Sequence, residues 1–382
     1  MSKINIIQFT PYFPPHTWGL ETVAEQIWFH WKKQDFWDFI QVTTSCNQKD
    51  FLKKYDNIKY KWVSIGYKVG DIKHIIIPSI ELVSNFPVYN FFHPKTYLIY
   101  AYLRKYSKKN SNIKVVTHTR FFLTTFFWWV FAKKQKIPFF HIEHWSWHAK
   151  LWSSFQTKMG IVYDKSLGKW TVKNANGVLA ISNACKKFIK EKFINRDVEV
   201  IYRGIDIPTF SEKKEWGIKL VFIWRLVSLK GVEDLINAYK AIETDAELII
   251  IGDWNEWKKL KEMSKGYSVT FLGFKQTDFV IEYLQYNRCI VVNPSHQEWL
   301  PTTVIEWLMT KCPVVASNVW WTSEISNWKD LLLFESQDIP GLQQCLKSAI
   351  DDYDNMTWIS FKQVSEKFSW EKNITKLYQY IR

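Results

Sequence analysis

Residues 289–317 read CIVVNPSHQEWLPTTVIEWLMTKCPVVAS, and this stretch decides the fold. Cys289 to Asn293 is a short apolar run of the kind a fully buried strand carries, and a polar loop follows from Pro294. A helical pattern starts near Pro301-Thr302, and Pro313 to Ala316 is a second buried-looking strand. Strand, loop, helix, strand is the repeating unit of a parallel sheet. A helix starting at that point offers unpaired backbone N–H groups and a positive dipole end to a phosphate. Glu298 sits in the loop and Glu306 one turn into the helix, both able to accept hydrogen bonds from hydroxyl groups.

The same alternation extends in both directions. Strand-like runs at Leu220–Ile223, Glu247–Ile251 and Val269–Leu272 precede the quoted stretch, with helical patterns near 232–243, 278–287, 302–311 and 340–353. An earlier series runs Ile4–Phe9, Phe39–Thr43, Trp62–Ile65, Lys114–Thr117, Phe139–Ile142 and Gly177–Ile181. Ser182-Asn183 is a helix N-cap signal. Val198–Tyr202 then leads into the turn-rich link Gly204 to Pro208. The expected fold class is α/β, with two Rossmann-like doubly wound parallel sheets and a ligand cleft between their C-terminal strand ends. The expected domains are 1–203, with a C-terminal crossover helix 366–382, and 204–365.

Val221-Phe222-Ile223-Trp224-Arg225-Leu226 and Lys230-Gly231-Val232 put two cations on the turn after a strand, five residues apart. Two glutamates with seven residues between them, followed by Pro-Val-Val-Ala-Ser, resemble the signature of the family 4 retaining glycosyltransferases of GT-B fold. The resemblance implies transfer of a sugar from a UDP- or GDP-sugar donor, with no other cofactor and no metal. It implies that Arg225 and Lys230 grip the donor diphosphate, stabilising a leaving group that gains negative charge. Glu298 would hold sugar hydroxyls and Glu306 the ribose. Trp224, Trp299, Leu300, Pro301, Thr302 and Thr303 fall at the family's donor-phosphate positions. Gly19, with Trp18 before it, resembles the end of the first loop that approaches the donor. Gly252 closes a strand, and Phe274 falls in the segment whose backbone meets the nucleobase. His118 matches a family histidine facing the transferred sugar, and Glu143 and His144 end another strand of the same half. Phe368-Ser369-Trp370-Glu371 resembles the start of the terminal crossover helix. The first domain would take the acceptor and the second the donor.

Composition bounds the rest. The 47% hydrophobic and 23% charged residues are those of a globular protein, and no apolar run is long enough to span a bilayer. Phe121 to Ala132 reads as a buried helix, and the N-terminus lacks signal-peptide features, so a cytoplasmic protein is expected. Five widely spaced cysteines without a CxxC pair suggest reduced core thiols. The net charge of +14, with lysine clusters at 53–54, 104–109, 133–136 and 186–192, suits an anionic membrane surface and a saccharide or lipid-linked acceptor. No nucleic-acid motif accompanies the charge. Asp351-Asp352-Tyr353-Asp354 superficially resembles a metal-binding Asp-x-Asp, but its helical, charged setting reads as a solvated face.

Tryptophan is anomalous: the chain has 22 Trp and only 13 Gly. Trp18, Trp37, Trp145, Trp147, Trp224, Trp254, Trp299, Trp320, Trp321 and Trp328 stand where turns or the resembling family want glycine. One reading is a codon that the source organism decodes as glycine and that is rendered here as tryptophan, as UGA is in some bacteria. An interfacial aromatic belt or deliberate engineering are the others, although belts do not target phosphate loops. Genuine tryptophans at 224 and 299 would crowd the diphosphate and favour a non-catalytic membrane-surface protein. A nucleotide-sugar epimerase of the same fold is the rival enzyme.

Overall fold

The computed structural model describes residues 4–12, 19–32, 38–45, 56–69, 72–83, 86–148, 154–205, 217–253, 255–296, 302–319, 322–325, 331–356 and 359–382. The chain divides into two compact units, Met1–Arg203 with Asn373–Arg382, and Gly204–Lys372.

The first unit contains β1 (Asn5–Phe9), β2 (Asp38–Thr44), β3 (Asp56–Tyr60), β4 (Val63–Val69), β5 (Ile72–Ile77), β6 (Ser79–Val83), β7 (Phe86–Tyr89), β8 (Ile113–His118), β9 (Phe139–Glu143), β10 (Gly177–Ala180) and β11 (Glu199–Val200). Nine of them form one sheet in the order β11-β10-β9-β8-β1-β2-β5-β4-β3, and β6 and β7 pair separately. The strands from β11 to β5 run parallel, while β4 and β3 extend the edge antiparallel. β1 and β9 are buried along their whole length, as a sheet covered on both faces requires. The covering helices include α1 (Gly19–Lys32), α2 (Pro94–Lys109) and α3 (Leu123–Gln135). Gly19 is therefore the first residue of a helix. In α3, Trp128, Trp129, Phe131 and Ala132 are buried.

The hairpin of β3 and β4 corrects the sequence reading of a strand at Trp62–Ile65. The strand begins at Val63, and Lys61 and Trp62 form the two-residue turn, with φ of 47° and 68°. Both dihedrals are left-handed, the geometry of a type I′ turn whose second position strongly favours glycine. Trp62 is 97% exposed, so no packing compensates the strain. Trp62→Gly is expected to raise stability by about 1 kcal/mol, the left-handed penalty less the added freedom of the unfolded chain. Denaturant melts of the two proteins measure it.

The second unit contains β12 (Ile218–Ile223), β13 (Glu247–Ile251), β14 (Val269–Gly273), β15 (Arg288–Asn293), β16 (Val314–Ser317) and β17 (Leu331–Phe334). All are parallel, in the order β14-β13-β12-β15-β16-β17, which is 3-2-1-4-5-6 counted from the unit's first strand. This is a Rossmann order, and its topological switch point lies between β12 and β15. One face of the sheet, with Leu220, Phe222, Leu248, Ile250, Ile290 and Val292, packs on Leu235 and Ile236 of helix Val232–Lys240 and Leu342 and Leu346 of helix Ile339–Asp351. Tyr353 is buried beside exposed Asp351 and Asp354, and Asp354 pairs with Arg288 at 2.9 Å. Cys185, Cys289 and Cys312 are buried and Cys345 is half-buried, all as reduced thiols. The last helix, Trp370–Ile381, begins in the second unit and ends in the first, where Lys376 pairs with Glu199 at 2.6 Å.

Candidate functional site

In the second unit the sequence motif falls at the switch point. After β12 the chain runs through Trp224 and Arg225 into a single 3-10 turn, Ser228–Lys230, and helix Val232–Lys240 starts at Gly231. Gly231 has φ of 66°, and a Cβ there would stand 2.0 Å from the Pro294 carbonyl oxygen. Only glycine lets the turns after β12 and β15 approach so closely. Gly252, with φ of 154°, is squeezed in the same way: its Cβ would lie 1.9 Å from the Trp224 carbonyl oxygen. Cross-links between the loops complete the fixing. Trp224 N–H donates to Ile251 O (3.1 Å), Gly252 N–H to Gly273 O (2.9 Å) and His296 N–H to Leu229 O (2.9 Å). His296 Nε2 also donates to Asp234 Oδ2 at 2.6 Å, anchoring the loop two residues before Glu298.

Within this frame Lys230 is 9% exposed, and its ammonium lies 4.6 Å above the Trp224 ring. The buried Trp224 indole N–H has no hydrogen-bond partner among the described residues. Arg225 is exposed beside it, and Phe274 is exposed just past β14. Thr303 and Glu306 lie half-buried on the helix Thr302–Leu308. Trp18, Glu298, Trp299, Leu300 and Pro301 lie outside the described residues. So do Trp37, Trp254, Trp320, Trp321 and Trp328 of the glycine-like set.

In the first unit the switch point lies between β1 and β8, and His118 is the last residue of β8. It is fully buried, with Nδ1 2.9 Å from His144 Nε2 and Nε2 without a hydrogen-bond partner among the described residues. Thr119 follows at φ of 62°, strain that is unusual for a β-branched residue and that clusters at functional sites. The kink turns Arg120 into the interior, where it is completely buried. Arg120 forks onto Asp164, Nε to Oδ1 at 2.6 Å and Nη2 to Oδ2 at 3.3 Å. Its Nη1 meets Glu143 Oε2 at 3.0 Å, and its remaining N–H groups reach the carbonyls of Trp145 (3.3 Å) and Trp147 (2.7 Å). Asp164 opens a π-helical turn, Asp164–Gly168, and also binds His148. Glu143 Oε1 accepts from the backbone N–H of His144 (2.9 Å) and Trp145 (3.0 Å), and Oε2 contacts His141 at 3.2 Å. Glu143 is therefore occupied in shaping the loop that carries His144. Arg120, Asp164 and His141 went unread in the sequence, because only the fold brings them together.

Charge follows from this packing. Burial alone would raise the Glu143 carboxyl, but Arg120 and His141 outweigh it and hold it at about 2. Burial lowers His74 to about 3 and His144 to about 4, and it pushes His118, beside His144, well below the usual imidazole range. These three histidines fold neutral and take up protons on unfolding. Their stability contribution is complete above pH 6.5 and is lost as pH falls toward 4, at a limiting slope of about 4 kcal/mol per pH unit. Thermal melts between pH 7 and pH 4 should show this steep loss, and melting temperatures unchanged over that window would contradict it.

Among the described residues no cluster of His, Cys, Asp or Glu is placed to hold a metal, and no helix is long and apolar enough to cross a membrane. Two Rossmann-like α/β domains, each with its own switch point, are the architecture of the GT-B fold. Comparison with known proteins gives the activity. Residues 206–360 match the Glycosyl transferases group 1 family and residues 67–208 match Glycosyltransferase Family 4. The chain is a glycosyltransferase, similar to these two groups over residues 67–360. An uncharacterized glycosyltransferase of Methanocaldococcus jannaschii is 29% identical over 98% of this chain and 97% of its own. The putative teichuronic acid biosynthesis glycosyltransferase TuaC of Bacillus subtilis is 29% identical over 49% of each. In fold alone, the chain is similar to sucrose-phosphate synthase from Thermosynechococcus elongatus (TM-score 0.69, 16% identity, 99% of this chain and 98% of that one). Anabaena HepE in complex with UDP is similar to the same degree (TM-score 0.68, 16% identity, 99% of each).

Proposed function

We propose that this glycosyltransferase takes a sugar from a UDP- or GDP-sugar and passes it, with retention of configuration, to a hydroxyl of a saccharide or lipid-linked acceptor. The setting would be cell-surface polysaccharide or glycolipid synthesis, in the cytoplasm or at the inner face of the membrane. The observation that carries the donor reading is Lys230 on the same turn as Arg225 at the switch point of the second unit, a turn pinned by the close approach of Gly231 to Pro294. Cations fixed on a pinned turn stabilise a departing diphosphate with little reorganisation. Glu298 is assigned to the sugar hydroxyls and Glu306 to the ribose. His118 is assigned to the transferred sugar from the first unit; its neutral imidazole suits a hydrogen bond to a hydroxyl better than an ion pair. TuaC, named for teichuronic acid biosynthesis, and HepE, solved with UDP, support the polysaccharide setting and the nucleotide donor.

The tryptophans at glycine-like positions are assigned to glycine in the native protein. Trp62 supports this with a left-handed φ of 68° and full exposure. Trp224 supports it too, since its indole covers the ammonium of Lys230 and buries an unpaired N–H. The same indole favours the second reading, a GT-B protein that has lost its donor pocket. Peptide mass spectrometry of the native protein across residues 218–231 and 290–304 decides between them. Glycine at 224 and 299 is the expected result, and tryptophan at both moves the assignment to the non-catalytic reading.

A further inference from the structure

We propose that the first unit holds the hydrocarbon chain of an anionic, phosphate-linked lipid in a cavity between α2 and α3. The proposal rests on the lipid-linked acceptor read above and names where its tail goes. The cavity measures about 360 Å³ and is walled by Ile77, Tyr89, Phe127, Val130 and Phe131, with Tyr97 among the side chains of α2. That volume lies within the range of about 300–1,000 Å³ typical of small-molecule pockets.

The walls say what fits. α3 is apolar around most of its circumference, from Leu123 to Ala132. Trp128 satisfies the sheet side: its ring stacks 5.7 Å from Phe9 and its N–H donates to the Tyr89 hydroxyl at 2.5 Å. Phe127, Val130 and Phe131 are left to line the hole. A helix apolar on all sides needs an apolar cover. The Tyr89 hydroxyl is already engaged by Trp128, so this wall offers a polar guest little and a flexible alkyl or isoprenoid chain much.

The charge around the cavity selects the headgroup. Lys134 is the only charged lining side chain among the described residues, and Lys133 joins it in the last turn of α3. Lys95, in the first turn of α2 next to the lining residue Thr96, is half-buried. Phe92 is 97% exposed and Tyr97 64% exposed at the start of α2, an amphipathic mouth of the kind found where protein meets lipid. Lys134, which lines the cavity with the exposed Tyr97, complements a lipid phosphate and repels a cationic headgroup. Position agrees with an acceptor role. Phe9, on which the cavity wall rests, lies opposite Thr117 in the sheet, one residue from His118.

Calorimetric titration of the full chain with decyl phosphate, and separately with decanol, tests the site without donor or transfer. Saturable binding of one decyl phosphate per chain is expected, weakened at least tenfold by Val130→Phe, which fills the cavity. Lys134→Gln should weaken decyl phosphate and leave decanol unchanged. Tyr97→Glu, at an exposed position that the fold tolerates, should weaken decyl phosphate and guards against misfolding of the cavity variant. No binding, equal binding by all variants, or adsorption to anionic vesicles that Val130→Phe does not change would overturn the proposal. A dimer abolished by Val130→Phe would overturn it also, by placing a second copy over the cavity. Tail binding without sugar transfer would leave this proposal standing and remove the acceptor reading. Equal transfer to short-chain and long-chain acceptors would do the reverse.

Discussion

Lys230→Ala, made in the Trp224→Gly/Trp299→Gly protein, is expected to lower kcat/KM for sugar transfer by about 10²–10³-fold while the fold survives. The magnitude follows from what removing one preorganised donor to developing charge costs. Preorganisation is visible in the backbone. The turn that presents Lys230 is pinned by the close approach of Gly231 to Pro294 and by the hydrogen bond from His296 to Leu229. The ammonium therefore has little freedom to lose when the diphosphate arrives. Lys230→Arg should recover only a small part of the rate, because a planar fork does not occupy the place of a compact ammonium. Full activity in Lys230→Ala would remove the diphosphate role.

Arg120→Met should destabilise the first unit by about 3–5 kcal/mol, the cost of leaving buried charge without its partner. Arg120 answers two carboxylates, Asp164 and Glu143, and neither has any exposure to water. It also closes the carbonyls of Trp145 and Trp147, so one substitution strips a partner from four residues on two chain segments. Arg120→Lys should rescue little, since a single ammonium cannot fork onto Asp164 and reach Glu143 together. Denaturant unfolding followed by far-UV circular dichroism measures the loss. A change below about 1 kcal/mol would mean that the network is far more hydrated than its burial implies.

How far the sequence carries depends on what each region has to bury. Parallel strands covered on both faces read as largely apolar runs, so β12, β13, β15 and β16 are legible from Leu220–Ile223, Glu247–Ile251, Cys289–Asn293 and Pro313–Ala316. The segment from β3 to β7 is not. Its strands pair antiparallel with their chain neighbours β3–β4, β4–β5 and β6–β7, β3 is largely exposed, and the pairing of β3 with β4 shifts register between Ile58 and Lys59. The hairpin signal is also hidden, because Lys61-Trp62 occupies a turn that ordinarily announces itself as Asn-Gly. In the candidate site, Arg225, Lys230 and Glu306 are picked out by a family resemblance whose motifs are each local in sequence. The Arg120 network is not, because its partners lie 23 and 44 residues away in sequence and meet only once β8, β9 and the π-helical turn have packed.

The most direct test of a donor site in the second unit is calorimetric binding of UDP and GDP to the Trp224→Gly/Trp299→Gly protein, repeated with Lys230→Ala added. Saturable micromolar binding of one of the two nucleotides, weakened at least tenfold by Lys230→Ala, is the predicted result. Binding of neither nucleotide, or binding that Lys230→Ala leaves unchanged, would contradict it.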